Sequence, residues 1–103
     1  MDRALRYDGL LPNVLGDGVM RAATLDEVGE MVTLIKERKS GAPYDLIVEG
    51  VSPVNDRSKA VDHVAPWAEA GATWWVEPRW DGFGTVEGLS QLRARVDGGP
   101  PKP

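Results

Sequence analysis

Strand and helix signals alternate three times along this chain of 103 residues. Three short apolar runs lie at positions 7–12, 45–50 and 73–78. The second and third are rich in Ile, Val and Trp and end in Gly or Pro, which is typical of strands buried on both faces. Gly9 weakens the strand preference of the first. A helical pattern follows each run, so the order predicts an α/β fold of three βα units with a parallel sheet and right-handed crossovers.

Helix-capping residues mark where each predicted helix begins and ends. Thr24 and Glu27 have the spacing of a capping box at the start of the first helix. Gly41 and Pro43 are expected to stop it. The other predicted boundaries are Asn55 or Asp56 to Gly71 for the second helix, which Pro66 should kink or divide, and Thr85 to 98–100 for the third.

The composition excludes several classes of function. A net charge of −4 argues against binding to a nucleic-acid backbone, which needs clustered Lys and Arg. The chain has no cysteine, so disulfides, thiol catalysis and cysteine zinc sites are excluded, and one histidine, His63, leaves little for a metal site. No apolar run approaches the roughly 20 residues of a membrane span, and the start lacks the apolar core of a signal peptide. A soluble, cytoplasmic protein that binds neither membrane nor nucleic acid is therefore expected.

A three-stranded parallel sheet with helices on one side has a bare second face and two unpaired edges. A complete (β/α)₈ barrel typically needs about 250 residues, so this chain is equivalent to roughly three of the eight units. We therefore expect one partial barrel domain over 1–103, with 98–103 as a Pro- and Gly-rich tail. The chain is either a piece of a barrel or buries its open face against another copy. Self-association, with a dimer as the first expectation, follows from the bare face.

Glu49 and Glu77 close the second and third apolar runs and are 28 residues apart, a reasonable length for one βα repeat. Both would lie at the carboxyl ends of their strands, which carry the chemistry in α/β architectures. They are candidates for acid–base work or for hydrogen bonds to a ligand's amide or hydroxyl groups. The alternative is that they bond backbone amides or basic side chains such as Arg79.

Two glycine-containing segments differ in their resemblance to phosphate-binding loops. The segment 81–85 contains Gly82 and Gly84 before a predicted helix start, and exposed N–H groups there could hold a phosphate. The alternative is a flexible loop that ends in a Thr85 helix cap. The segment 15–18 matches neither a dinucleotide fingerprint nor a P-loop and is expected to be an ordinary loop.

Adjacent tryptophans in a strand must face opposite ways. One of Trp74 and Trp75 is therefore expected to pack under the helices, and the other to point into a barrel interior, a cofactor pocket or a partner. Trp80, just past Glu77, could line a flat ligand. Structural packing or a subunit interface is the alternative for all three. His63 is expected on a helix surface.

Several segments resemble the late part of luciferase-like monooxygenases. The segment 3–12, RALRYDGLLP, is similar to the family's "RAARYDGWFP" passage. The segments 44–50, YDLIVEG, and 66–77, PWAEAGATWWVE, resemble the two segments that follow it there, and 92–95 before 98–101 is also similar. The resemblance covers nearly all of this chain and about the last third of a family member.

The resemblance implies a TIM-barrel oxidoreductase that uses reduced FMN or a deazaflavin, with redox chemistry at the carboxyl ends of the strands. Late-barrel loops help to hold the cofactor in this family, and Arg79 could meet a flavin phosphate or ring carbonyl. No catalytic residue is identified. The candidate cofactor-binding residues are Glu49, Gly50, Ser52, Glu77, Arg79, Trp80, Gly82 and Gly84.

The family's early strands have no counterpart in this chain. The resemblance therefore implies the C-terminal part of a flavin-dependent monooxygenase, as an excised fragment or a short paralogue, incomplete as an enzyme alone. Another copy or a complementary barrel fragment would then complete it. The alternative is a non-catalytic α/β module that self-associates or docks on a partner through its open sheet face.

Overall fold

The structure, a computed structural model, describes residues 2–78 and 84–101. Its strands are β1 (Gly9–Leu10), β2 (Asn13–Gly16), β3 (Val19–Ala22), β4 (Asp45–Glu49) and β5 (Trp74–Val76). Its helices are α1 (Leu25–Lys39), α2 (Arg57–Ala70) and α3 (Val86–Gly98), preceded by a short 3₁₀ turn at Ala4–Arg6. The predicted α/β class is confirmed. The resemblance to a barrel is not tested by these elements.

β1, β4 and β5 form a parallel sheet in the order β1-β4-β5. In its register Val48 lies beside Trp75, so these two side chains share a face. Val48 packs in the same core as Val28 of α1, and the Trp75 ring lies 6.3 Å from the ring of Trp67 in α2. The helices therefore cover the Val48–Trp75 side of the sheet, which we call the helix face; the opposite side is the bare face.

The buried core lies between α1 and β4. Val28, Leu46 and Val48 are buried there with Ala23, which precedes the helix. Full burial of a Val or Leu side chain contributes about 1.5–3 kcal/mol relative to exposure. This core is small for a chain of this length, and most other large apolar side chains are half-buried or exposed.

The capping box predicted at the start of α1 is confirmed. The Thr24 hydroxyl accepts a hydrogen bond from the Glu27 N–H at 3.3 Å, and the Glu27 carboxylate accepts one from the Thr24 N–H at 3.1 Å. The helix ends before Ser40, which has a left-handed φ of 49°, just ahead of Gly41. Both boundaries thus follow local backbone chemistry.

α2 begins at its predicted cap, because the Asp56 side chain accepts a hydrogen bond from the Lys59 N–H at 3.0 Å. It ends at Gly71, where φ is +115° and an added Cβ would lie 2.7 Å from a methyl carbon of Val32. Of the two effects predicted for Pro66, division of the helix is wrong, because α2 runs through it from Arg57 to Ala70, and a kink stays a prediction. Packing of Trp67 and Ala70 against the core offsets the loss of one helix hydrogen bond at the proline.

The expectation of an ordinary loop over 15–18 is also wrong. β2 and β3 form an antiparallel hairpin around Asp17 and Gly18, whose φ angles are +51° and +77°. A two-residue hairpin turn with both φ positive favours Asp-Gly, since few other pairs adopt it without strain. The hairpin pairs Leu15 with Met20 on an exposed side, while Val14 packs against the core.

α3 begins at the predicted Thr85 cap, whose hydroxyl accepts a hydrogen bond from the Gly88 N–H at 2.9 Å. The apolar residues that recur at helical spacing along α3, which we call the apolar stripe, are mostly exposed. Val86 is 87% exposed, Val96 is 77% exposed and Leu89 is also exposed. Leu92 is half-buried, and the ion pair between Arg95 and Glu77 attaches α3 to the sheet.

Candidate functional site

Three elements converge on the Glu77 carboxylate, just beyond the carboxyl end of β5. The Trp75 indole donates a hydrogen bond to Glu77 Oε1 at 3.1 Å. Arg95 of α3 donates from Nε to Oε2 at 2.9 Å. Ser52, in the segment after β4, donates its hydroxyl to Oε1. Glu77 therefore ties β4, β5 and α3 together.

This Glu77 cluster, formed by Ser52, Trp75, Glu77 and Arg95, is largely shielded from water. Ser52 is buried, and the side chains of Glu77 and Arg95 are 10% and 13% exposed. A charge-assisted bond at such low exposure is stronger than an ion pair on the open surface. It also neutralises the carboxylate, which argues for a structural role. The predicted alternative of a basic partner for Glu77 is confirmed, with Arg95 as a partner.

Gly50 allows the close approach that forms this cluster. Its N–H donates to the Val76 carbonyl at 3.0 Å and so extends the pairing of β4 with β5. An added Cβ at this position would lie 2.8 Å from Cζ2 of the Trp75 ring. The ring is held on its other sides by His63, edge-on at 5.7 Å, and by Trp67. Position 50 needs glycine because the Trp75 indole occupies the space that a side chain would take.

Glu49 lies at the same end of the sheet but on the bare face. In the register it lies beside Val76, while Val48 lies beside Trp75. Since alternate residues of a strand face opposite sides, Glu49 and Glu77 are on opposite faces. The structure therefore does not bring the two glutamates together as a carboxylate pair. Glu49 is half-buried and makes no side-chain hydrogen bond or ion pair with the residues that the structure describes.

The bare face is apolar at its centre. Ile47 lies beside Trp74, which is 60% exposed, and Val76 is 40% exposed. Asp45 and Glu49 lie at the two ends of β4 on the same face. The prediction that Trp74 and Trp75 point to opposite sides, one beneath the helices, is confirmed.

Four candidate cofactor-binding residues remain, and the structure describes one of them, Gly84. Gly84 is exposed, has a φ of +85° and precedes the Thr85 cap. Arg79, Trp80 and Gly82 lie outside the described residues, so their cofactor roles stay predictions. The same holds for a phosphate site over 81–85.

Two clefts flank the helix-face side of the sheet. One, of about 260 Å³, is an open cleft beside the Glu77 cluster and is lined in part by the tail residues Pro100 and Pro101. The other, of about 240 Å³, lies at the amino end of β4 between α1 and α2 and is lined by Lys39 and Tyr44. Lys39 already donates to the Leu5 carbonyl at 3.2 Å and lies over the Tyr44 ring. Burial raises the pKa of the Tyr44 hydroxyl. Glu77 and Arg95 in the first cleft, and Lys39 and Tyr44 in the second, are thus engaged in structural contacts.

Sequence reasoning did not identify Arg95 as a site residue. The available signal was its position in the predicted third helix, three residues after Leu92 on the apolar stripe. A cation that is largely shielded from water needs an anionic partner. Glu77, at the end of the preceding strand, supplies one.

Comparison with known proteins found no match: no family model, no curated protein and no solved structure is similar to this chain. Within residues 2–78 and 84–101, no group of three or more potential metal-ligating side chains lies together. No helix in that same part of the chain is long and apolar enough to cross a membrane.

Proposed function

We propose that this chain is the C-terminal βα section of a luciferase-like, flavin-dependent monooxygenase or related oxidoreductase, and that it supplies one wall of the cofactor site. The supporting observation is the bare face: a parallel sheet covered by helices on one side, with Glu49 at its carboxyl end on the other. In a (β/α) barrel the uncovered face points to the interior, and the carboxyl ends form the active site. A cytoplasmic location belongs to the same proposal.

The described residues suit the ring of a flavin better than its phosphate. Trp74 and Val76 offer a flat apolar surface, and the Glu49 carboxylate, which makes no side-chain hydrogen bond or ion pair with the described residues, can accept a hydrogen bond from a ring N–H. A phosphate would need cations or free N–H groups, for which Arg79 and Gly82 are the predicted candidates. The flavin, when bound, supplies the redox chemistry, and the protein orients it and excludes water.

Ser52 and Glu77 act in this proposal as positioning residues. Their hydrogen bond holds the segment after β4 against the end of β5, and the Arg95 contact fixes α3 beside them. They shape the carboxyl end of the sheet from the helix face. Glu49 is then the candidate residue that would contact a ligand on the bare face.

A titration followed by ¹H–¹⁵N NMR tests this proposal. Oxidised FMN, and separately a deazaflavin cofactor, would be added to the labelled chain. We expect saturable shifts of the Trp74 indole and of the Glu49 and Gly50 amides in the millimolar range, because a single wall provides only part of the binding contacts. A Glu49→Ala variant should weaken them, and the exposed α1 substitution Glu30→Ala should not. Absence of shifts, or shifts confined to the helix face, would contradict the proposal.

A second candidate function is a non-catalytic α/β module that uses the bare face to self-associate or to dock on a partner. The observation that favours it is the exposure of Trp74, since large aromatic side chains on a surface are typical interface anchors. This candidate predicts association without flavin shifts. The same titration, run beside a sedimentation measurement, separates the two functions.

A further inference from the structure

Aspartate precedes glycine at three places that the structure describes, and each place has a different backbone setting. The Asp-Gly pairs lie at 8–9, where β1 begins, at 17–18, in the hairpin turn, and at 97–98, where α3 ends. In such a pair the glycine nitrogen can attack the side-chain carboxyl carbon of the aspartate, because glycine has no side chain to obstruct the approach. The reaction needs an accessible amide nitrogen and rotation of the aspartate backbone. The fold therefore determines which pairs can react.

The glycine amide in the hairpin turn is open to solvent. Asp17 and Gly18 are both exposed, and nothing lies within 4 Å of the place that a Cβ of Gly18 would take. The Gly18 N–H makes no hydrogen bond with the residues that the structure describes. An N–H that no carbonyl holds is accessible to solvent base, which is the property that amide hydrogen exchange measures. The attacking nitrogen is thus available in the folded chain.

The hairpin turn can open without disturbing the core. It is closed by the pairing of Gly16 with Val19. The side chains of Val19 and Met20 beside it are 66% and 62% exposed. A segment with so few buried contacts opens locally at a small cost in free energy. Asp17 can therefore leave its left-handed conformation, with a φ of +51°, and bring its carboxyl carbon to the Gly18 nitrogen.

The other two pairs are held by backbone hydrogen bonds. The Asp8 carbonyl accepts one from the Asp45 N–H at 2.8 Å, and an added Cβ on Gly9 would lie 2.9 Å from the Asp45 carbonyl oxygen. Rotation of the Asp8 backbone would break this contact between β1 and β4. Asp97 and Gly98 lie in the last turn of α3, where each N–H bonds to the carbonyl four residues earlier. Reaction at either pair first requires loss of secondary structure.

We propose that Asp17 is a site of spontaneous isomerisation, at which aspartate is converted to isoaspartate through a cyclic succinimide. The Gly18 nitrogen forms a bond to Cγ of Asp17, and its proton leaves with the carboxyl O–H as one water molecule. A second water then adds to the main-chain carbonyl carbon of Asp17, and the bond from that carbon to the Gly18 nitrogen breaks. The chain now continues through the side-chain carboxyl group. The mass is unchanged, and no cofactor or oxidant takes part.

Isomerisation changes the hairpin. Isoaspartate adds the Cβ atom of residue 17 to the main chain, so the two-residue turn no longer fits the pairing of β2 with β3. Arg21 of β3 forms the ion pair with Glu27 at the start of α1. We therefore expect the isomerised chain to lose part of the stabilisation by this ion pair and to melt at a lower temperature than the unmodified chain at neutral pH.

Peptide mapping of the folded chain, after long incubation in mildly acidic buffer below its melting temperature, measures the reaction. Isoaspartate gives a peptide of unchanged mass that elutes separately and that endoproteinase Asp-N no longer cleaves at position 17. We expect this product at position 17, with rates at positions 8 and 97 at least about tenfold lower, because those pairs must first lose hydrogen bonds. In urea, where none of the pairs is held, the three rates should become similar.

Asp17→Gly is the matched variant, since Gly-Gly also suits a two-residue hairpin turn and has no carboxyl group that can cyclise. Its melting temperature should stay constant during the incubation, whereas that of the wild type should fall as isoaspartate accumulates. Circular dichroism checks that both chains are folded at the start, and the mapping of the wild type does not depend on the variant. Equal rates at positions 8, 17 and 97 in the folded chain, an unmodified position 17, or an equal fall in melting temperature for Asp17→Gly would each overturn the inference.

Discussion

Glu49 and Glu77 end neighbouring strands, but they have different surroundings. Glu77 accepts hydrogen bonds from Ser52, Trp75 and Arg95 on the helix face, where little water reaches it. Glu49 is on the bare face and makes none with the described residues. At the residue scale, one carboxylate holds the structure together and the other is available to a ligand or partner.

The two glutamates should therefore differ in their contribution to stability. Glu77→Gln removes the ion pair and should lower the free energy of unfolding by about 1–3 kcal/mol, since a shielded polar contact is lost. Glu49→Gln should change it by less than about 0.5 kcal/mol. Urea denaturation of the two variants and the wild type measures the difference. Equal effects would show that the Glu77 cluster does not form.

Gly50 provides a second test of the same cluster. Gly50→Ala places a methyl group against the Trp75 ring and should destabilise the protein by about 1–3 kcal/mol through overpacking. Gly29→Ala is the control, because nothing lies within 4 Å of its added Cβ and its site is helical. There we expect a gain of about 0.5–1 kcal/mol. Thermal unfolding compares them, and a tolerated Gly50→Ala would place the ring elsewhere.

At the scale of elements, one ion pair joins the hairpin to α1. Arg21 of β3 donates to the Glu27 carboxylate at 2.7 Å, and the same carboxylate completes the Thr24 capping box. The hydrogen bond from Arg21 and those at Thr24 lower the pKa of Glu27 to about 2. The hairpin and the helix start are thus stabilised by one ionised group.

The contribution of the Arg21–Glu27 ion pair to stability depends on pH. The folded-state pKa of Glu27 is lower than the unfolded value of about 4.3, so its contribution is present above that pH and is lost as pH falls toward 2. Glu27→Gln should lower the melting temperature at pH 7, and the gap to the wild type should narrow below about pH 4. The control Glu30→Gln should keep the wild-type pH dependence. A gap that does not change with pH would mean that Glu27 is not paired.

The elements that local chemistry determines were predictable from the sequence. Thr24, Asp56 and Thr85 each have a side-chain oxygen that caps a helix, and Gly71 supplies a positive φ. The hairpin was not predicted, although Asp17-Gly18 between β2 and β3 is a strong turn signal.

Features set by neighbouring elements could not be read from the sequence. The face on which Glu49 lies depends on the register of β4 with β5, and a shift of one residue would reverse it. The exposure of the α3 stripe depends on what lies opposite the helix, which its own periodicity does not contain. Arg95 likewise became a site residue only through its distance to Glu77.

At the scale of the whole molecule, the chain is more extended than an average domain. Its radius of gyration is 15.4 Å, against about 13 Å for a compact domain of this length. Apolar side chains remain exposed on the bare face, on the hairpin and on α3. These properties fit a section of a larger assembly, in which the bare face is the surface to be covered.

Solvent exposure of the two adjacent tryptophans tests the bare face most directly. A soluble paramagnetic probe would be added to the ¹⁵N-labelled monomer, with Trp74→Phe used to assign the indole signals. We expect the Trp74 indole N–H to be strongly broadened and the Trp75 indole N–H, bonded to Glu77, to be protected. Equal protection of both indoles would show that the sheet has no bare face, and would contradict both candidate functions, since each of them uses that face.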